Sequence, residues 1–167
     1  GYENDGTKPE KVVDGDLNSR WSSRHQDNEW IVVDIGHCYQ LTTVKLYWEA
    51  AYATDFDVEV SEDGEQYTIA KSITGAEGGV QTIDIRKGGG AVEARFVRIY
   101  CKKRNTGYGS SLWELEIYGE ALCDKEETAI EWTDGHKDGS NYKFIRDGQL
   151  FIRLTDGTIY NAFGTLQ

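Results

Sequence analysis

The sequence predicts an all-β protein: an antiparallel β-sandwich followed by a small C-terminal β-meander. Three observations carry that expectation. Asp-Gly occurs seven times in 167 residues, at Asp5, Asp14, Asp63, Asp134, Asp138, Asp147 and Asp156. Each is a turn candidate, because Gly accepts positive φ and Asp bonds its own backbone. Between these turns apolar residues alternate rather than recur every 3.6 residues, and no amphipathic helix can be drawn. The composition agrees, with 19 Gly, one Pro, five Trp and ten Tyr.

The elements follow in order. Trp30–Ile35 runs one way and ends at Gly36. A tight turn over Gly36–Gln40 returns the chain through Val44–Trp48, where Val44, Leu46 and Trp48 share a face. The loop Glu49–Thr54 leads into Phe56–Ser61. There Phe56, Val58 and Val60 face the core, while Asp57, Glu59 and Ser61 take the other side. A turn at Glu62–Gly64 closes that strand. Phe96–Cys101 puts Val97, Ile99 and Cys101 on one inner face and reaches the loop Lys102–Ser111. Leu112–Tyr118 runs back. Strands crossing the same layers bring three loops, Ser22–Glu29, Glu49–Thr54 and Lys102–Ser111, to one end, where binding tends to reside. Trp21, Trp30, Trp48 and Trp113 are assigned to the core or to loop anchoring, and His37 to the surface at the far end.

The composition shifts at Gly119, so the expected domains are 1–119 and 120–167. From Cys123 to Asp138 the chain is polar and charged. Then Tyr142–Arg146, Gln149–Leu154 and Thr158–Phe163 read as a three-stranded meander whose register two Asp-Gly turns set. A unit that short is marginal on its own.

Charge excludes several function classes. Asp and Glu number 29 against 18 Lys and Arg, for a net charge of −11. That disfavours nucleic-acid binding and docking on anionic lipid. No apolar run approaches the ~20 residues of a membrane span, so membrane insertion is not expected. The chain starts at Gly1 and has no Met, which points to a fragment or processed product; a cut piece would not display a leader. Three Cys permit at most one bridge. Cys101 points inward as a buried thiol, and a Cys38–Cys123 bridge at the end away from the long loops is one reading of the other two. His136 with Asp134 and Asp138 reads as a solvated loop before a metal site.

The strongest local motif is VDGDLNSRW, Val13–Trp21. Asp14, Asp16, Asn18 and Ser19 offer hard oxygen ligands suited to calcium. An EF-hand is ruled out, since Ser19 stands where its Gly is required and His25 where its Glu is. A metal here must borrow a ligand from far along the chain; a polar turn without an ion is the alternative.

Together with that motif, WIVVDIG (30–36), WEAAYA (48–53), FDVEVSEDG (56–64), ARFVRIY (94–100) and GYGSSLWELEIYG (107–119) resemble the coagulation factor 5/8 type C, or discoidin-type, domain. More narrowly they resemble family 32 carbohydrate-binding modules of bacterial glycoside hydrolases. The resemblance covers about residues 1–119 in order. It implies a galactose-binding-like jelly roll, a structural Ca2+, and non-catalytic binding of poly- or oligosaccharide at one end. The calcium ligands carried over are the Lys11 carbonyl, Asp14, Asp16, the Ser19 hydroxyl, the Trp113 carbonyl and Glu114. The family's strand before the calcium loop is short or missing here, since only thirteen residues precede Asp14.

Sugars offer apolar C–H faces to aromatic rings and hydroxyls to planar charged groups. The three loops supply Arg24, His25, Glu49, Tyr52, Arg104 and Tyr108 as sugar-binding candidates, with Trp48 assigned to the core. Tyr108 sits at the loop tip NTGYG, and Arg104 can fork onto vicinal hydroxyls. Glu49 is expected to pair with Arg104 or to meet an amino sugar. Members sharing these blocks include glucan, chitosan and galactose-type binders.

The expected protein is therefore a monomeric accessory module of a secreted, periplasmic or cell-surface bacterial glycosidase, working by tethering a catalytic domain in the same chain near polymer. The alternative is a protein- or lipid-binding discoidin adhesion domain, though lipid binders need apolar spikes beside a basic patch. A catalytic role would require two carboxylates facing across a cleft, or a placed Ser–His–acid set, and neither is visible. The segment DGQLFIRLTDGTIYNAFG (147–164) is similar to C-terminal tails of Bacteroidetes secreted hydrolases, which implies the end of a larger enzyme.

Overall fold

The computed structural model describes residues 1–122 and the backbone of three later strands, Tyr142–Arg146, Gln149–Arg153 and Ile159–Asn161. Period-two alternation builds seven strands in the first part. They are β1 (Trp21–Ser22), β2 (Glu29–Trp48), β3 (Ala53–Ser61), β4 (Thr68–Ile73), β5 (Val80–Asp84), β6 (Val92–Arg104) and β7 (Ser111–Ala121). A 3-10 turn, Pro9–Val12, precedes them. All pairings are antiparallel, in the order β1-β7-β2-β6-β3-β4, with β5 also on β2.

Strand β2 joins the two layers of the sandwich. Its first half pairs with β6, from Glu29↔Cys101 to Leu41↔Val92. Its second half pairs with β7, from Tyr39↔Ala121 to Trp48↔Leu112, and with β5. The sequence predicted a tight turn at Gly36–Gln40; the chain does return to its starting end, but through a bulge within one continuous strand that changes its partner from β6 to β7. Gly36 has φ 86, and its N–H donates to Asp34 Oδ1 at 2.8 Å. The extra residues are absorbed between Asp34 and Tyr39, after which the ladder to β6 resumes at Tyr39↔Ala94. A bulge bends a strand where an unbroken ladder would hold it straight.

The core lies between the layers. Val44 and Leu46 of β2, Phe56, Val58 and Val60 of β3, Val97 and Ile99 of β6, and Leu112 and Leu115 of β7 are all buried, as the alternation predicts. Burying one such side chain contributes roughly 1.5–3 kcal/mol. The Trp48 ring meets Phe56 across the layers at 5.3 Å and 63°. Trp21 is also buried. Cys101 is buried as expected, and burial pushes its thiol pKa up to about 12. Trp113 is half-buried, with the Arg20 guanidinium 5.6 Å from its ring centre.

On the outer face one expectation fails and another holds with an unforeseen cover. Trp30 is 47% exposed, not core, because its neighbour Ile31 takes the inward position. Asp57, Glu59 and Ser61 do point away from the core, yet all three are buried. β3 lies between β6 and β4, and long cationic side chains from β6 cover it. Lys102 Nζ lies 2.7 Å from Asp57 Oδ1, and Arg98 donates to Glu59.

The sequence reading also missed β1, β4 and β5. The pattern of β4 is broken by Lys71, and β5 places Val80 outward and Ile83 inward. The far turn after β3 forms as read, with Gly64 at φ 78 and Asp63 Oδ1 accepting the Glu65 and Gln66 N–H groups. His37 is exposed, and Cys38 is half-buried.

The chain divides into two compact units, Gly1–Leu122 and Cys123–Gln167. In the second, β8 (Tyr142–Arg146), β9 (Gln149–Arg153) and β10 (Ile159–Asn161) form an antiparallel sheet in the order β10-β9-β8. Cys123, with its suggested bridge to Cys38, and the group Asp134, His136 and Asp138 lie outside the described residues.

Candidate functional site

Both ends of β2 open onto the same rim, and three loops are stitched together there. The Ser23 N–H donates to the Ser110 carbonyl and the Ser110 N–H to Ser23 Oγ, both at 2.9 Å. The Ser111 N–H donates to the Ala51 carbonyl at 2.7 Å, and the Glu49 N–H to the Ser111 carbonyl at 3.0 Å. Asn105 clamps two loops. Its Oδ1 accepts the Tyr52 N–H at 2.8 Å and its Nδ2 donates to the Ala50 carbonyl at 2.9 Å. At Gly109 a Cβ would overlap the Ser23 carbonyl, so only Gly permits this approach.

Tyr108 projects from the tip of the third loop and is 67% exposed. His25 meets its ring edge-on, with centroids 5.7 Å apart, and His25 Nε2 lies 3.0 Å from Glu3 Oε1. Arg104 is half-buried behind them. Its partner is Asp27, not the expected Glu49: Arg104 Nε donates to Asp27 Oδ1 at 2.9 Å. Arg104 Nη1 donates to the Gly107 and Tyr108 carbonyls, each at 3.1 Å, so this guanidinium braces the loop that carries Tyr108. The Arg104 side chain, with its backbone N–H second, lowers the Asp27 carboxyl pKa. Glu49 caps its own loop, with Oε2 accepting the Ala51 N–H at 2.8 Å. Tyr52 is half-buried against the core, and its ring lies over Gly78, where any Cβ would overlap it. Arg24 is exposed and packs on Gly1.

The geometry thus gathers His25, Arg104 and Tyr108 directly. Glu49 and Tyr52 lie on the adjoining loop, and Arg24 beside Gly1. Sequence reasoning missed Asp27, Asn105 and Glu3. For Asn105 a signal existed, an amide side chain opening a Gly-containing tip; for Asp27 and Glu3 there was none.

A second cluster lies at the Asp14 loop, where Gly15 takes φ 76. Asp14 Oδ2 accepts the Ser19 hydroxyl at 2.6 Å, and Oδ1 accepts the Asp16 N–H at 3.0 Å. The Ser19 bond, then the Asp16 amide, lowers the Asp14 pKa. Glu114 lies on the outer side of β7 but is only 8% exposed, because the loop covers it; its Oε2 accepts the Gly15 N–H at 3.2 Å. Burial raises the Glu114 pKa and nearby Asp14 adds to the rise, while the Gly15 N–H opposes it. Asp14, Ser19 and Glu114 therefore meet. Asp16 turns back onto Asn18, accepting its N–H and Nδ2–H at 2.9 and 2.8 Å. Lys11 belongs to the 3-10 turn, and its Nζ lies 3.5 Å from Asp14 Oδ2. Trp113 falls where the β2–β7 register slips between Tyr47↔Glu114 and Trp48↔Leu112. Among the described residues, no three His, Cys, Asp or Glu side chains form a ready metal cluster.

A family model of the F5/8 type C domain matches residues 2–115. Chitosan-binding module 2 of a chitosanase/glucanase from Paenibacillus sp. IK-5, solved in complex with chitotriose, is 37% identical with a TM-score of 0.67; the match covers 71% of this chain and 92% of that one. Module 1 of the same enzyme is 36% identical with a TM-score of 0.67, covering 71% and 90%. The polysaccharide lyase 8 family protein HylA of Enterococcus faecalis (strain ATCC 700802 / V583) is 35% identical over 117 residues, or 65% of this chain, and the match spans 8% of that protein's length. The family 32 module of NanJ from C. perfringens, in complex with galactose, shares the fold at 17% identity and a TM-score of 0.60, covering 70% and 88%. The two Paenibacillus relatives are binding modules rather than catalytic domains, and this domain is likewise non-catalytic. Six sequence blocks, a two-layer antiparallel sandwich and a family match over residues 2–115 agree, and the chain belongs to the F5/8 type C domain family.

Proposed function

We infer that the domain is a carbohydrate-binding module whose rim takes a β-linked glucosamine-type glycan, and that it holds the catalytic domain of a larger secreted or cell-surface enzyme near its polymer. One observation carries the reading: an exposed Tyr108, edge-packed on His25 and backed by the Arg104–Asp27 brace, stands where three loops converge. The Tyr108 face suits the C–H face of a pyranose, and His25 and Arg104 suit its hydroxyls. Glu3, Asp27 and Glu49 at the same rim favour the ammonium of an amino sugar, as does the net charge of −11. Similarity to two chitosan-binding modules points the same way. Weak binding at one such site becomes useful through tethering, which raises the local concentration of polymer at the enzyme.

A structural calcium at the Asp14 loop belongs to the same proposal. Asp14, Ser19 and Glu114 are hard oxygen donors already gathered, and Glu114 is a buried carboxylate with an amide as its partner. The Lys11 and Trp113 carbonyls, and Asp16 after turning from Asn18, would complete the set. The ion would neutralise the carboxylates and tie the loop to β7.

A glycan array including chitosan oligosaccharides tests the sugar. Retention of glucosamine oligomers, lost in both Tyr108→Ala and His25→Ala with unchanged melting, supports the reading. Retention that survives both substitutions puts the site elsewhere. A protein ligand with no glycan retained would favour the adhesion alternative.

A further inference from the structure

We propose that the outer face of the β4-β3-β6-β2 layer is a second glycan-binding platform, continuous with the rim, on which the body of an extended polysaccharide lies while one end occupies the rim. The proposal rests on the rim's binding sugar and extends it from a single subsite to a track.

The platform is built by cross-strand register. One row runs Trp30, Tyr100, Asp57, Ser72 across four strands. The next runs Val32, Arg98, Glu59, Ile69. Directly opposed side chains in a sheet share a face and touch. Trp30 is 47% exposed, whereas Trp21 and Trp48 are buried in the core. An exposed indole directly opposite Tyr100 gives the face two neighbouring aromatic side chains. The polar groups around it are held in place. Asp57 and Glu59 are buried and ion-paired, while their partners Lys102 and Arg98 retain 35% and 25% of their side-chain surface. The Arg98 guanidinium sits 3.8 Å from the Tyr67 ring centre and 5.9 Å from that of Tyr100. Neighbouring aromatic side chains edged by fixed donors suit an extended pyranose chain, which alternates C–H faces with hydroxyl edges.

Continuity with the rim rests on one short segment. Asp27 holds Arg104 at the rim. Its neighbour Asn28, the only non-Gly residue at positive φ among those described, puts Oδ1 3.4 Å from the Tyr100 hydroxyl. Trp30 follows two residues later. A chain leaving Tyr108 past Asp27 therefore meets Tyr100 and Trp30 next.

The test compares a glucosamine disaccharide with the hexasaccharide by calorimetry on the 167-residue chain. The unsubstituted protein should bind the hexasaccharide roughly fivefold to tenfold more tightly than the disaccharide, the gain of about one stacking contact. Trp30→Ala should erase that gain and leave disaccharide affinity within about twofold; Trp30→Phe should restore most of it. Tyr108→Ala should weaken both ligands. Equal loss or no loss in Trp30→Ala for the two lengths overturns the platform while the rim reading stands. Failure of the unsubstituted protein to bind either ligand overturns both. A concentration-dependent dimer that Trp30→Ala abolishes would give this face to a second copy of the chain instead. Because Trp30 is exposed, its melting temperature should not move, which separates lost binding from lost folding.

Discussion

Asn105→Ala tests whether the rim is held by a single amide clamp. The substitution removes two hydrogen bonds, from the Tyr52 N–H to Oδ1 and from Nδ2 to the Ala50 carbonyl. A net 0.5–1.5 kcal/mol per bond gives at most about 3 kcal/mol, and both bonds lie at the exposed rim, where water can replace the lost partners. The expected loss is therefore about 1–2 kcal/mol, or roughly 3–8 °C in melting temperature for a domain of this size. The effect should be local: the Tyr52 amide should exchange faster by about tenfold, while core amides of β3 and β6 follow only the global change. Asn105→Asp keeps an acceptor for the Tyr52 N–H and should lose about half as much. Glycan affinity should fall with the clamp, because ordering the loops then becomes part of the cost of binding. An unchanged Tyr52 exchange rate in Asn105→Ala would refute the clamp outright, whatever the melting temperature does.

Other outcomes follow from the same structure. Gly109→Ala forces a Cβ into the Ser23 carbonyl and should cost about 1–3 kcal/mol, read in urea melts, with the rim loops parted; wild-type stability would show that the two loops are not in close approach. Calcium should raise the melting temperature, with about 2.7 kcal/mol of stabilisation at a hundredfold excess over Kd, and Asp14→Ala should remove the difference between calcium and chelator; identical melts in calcium and chelator for the unsubstituted protein would dismiss the ion. The Arg95 guanidinium, helped by the Gly36 N–H, holds the Asp34 carboxyl at about 2 rather than 3.8. A lowered folded-state pKa stabilises above the unfolded value and is lost as pH falls, so stability should decline between about 3.8 and 2, and Asp34→Asn should flatten that part of the acid melting curve. An acid limb of unchanged slope in Asp34→Asn would show that the pair carries none of it.

How much of this was readable beforehand depends on the residue. Phe56, Val58 and Val60 were legible because each is flanked by Asp57, Glu59 and Ser61, so period two had only one apolar solution. Trp30 was not, because Trp30 through Val33 are all apolar and local pattern leaves parity undetermined; pairing with Tyr100 fixes it. The burial of Asp57 was equally hidden, since its cover, Lys102, comes 45 residues later. At the rim, exposed Tyr108 was legible from a Gly-flanked tip. The Arg104–Asp27 pair was not: 77 residues separate them, and Glu49 offered an equally plausible charge. Local signals specify turns and faces, whereas partner choice between loops is decided by how strands register.

Strand β2 leaves the rim at Glu29, bends at Asp34–Tyr39 and comes back to it at Trp48. The loops on either side of it are therefore fastened to the two feet of one covalent arch. Sliding one layer over the other cannot open the gap between them without unbending that arch, so the mouth's width is inherited from chain connectivity. The third loop, 102–111, springs from different strands and carries the Tyr108 tip, which makes it the natural segment to exchange when a new sugar preference is wanted on an unchanged frame.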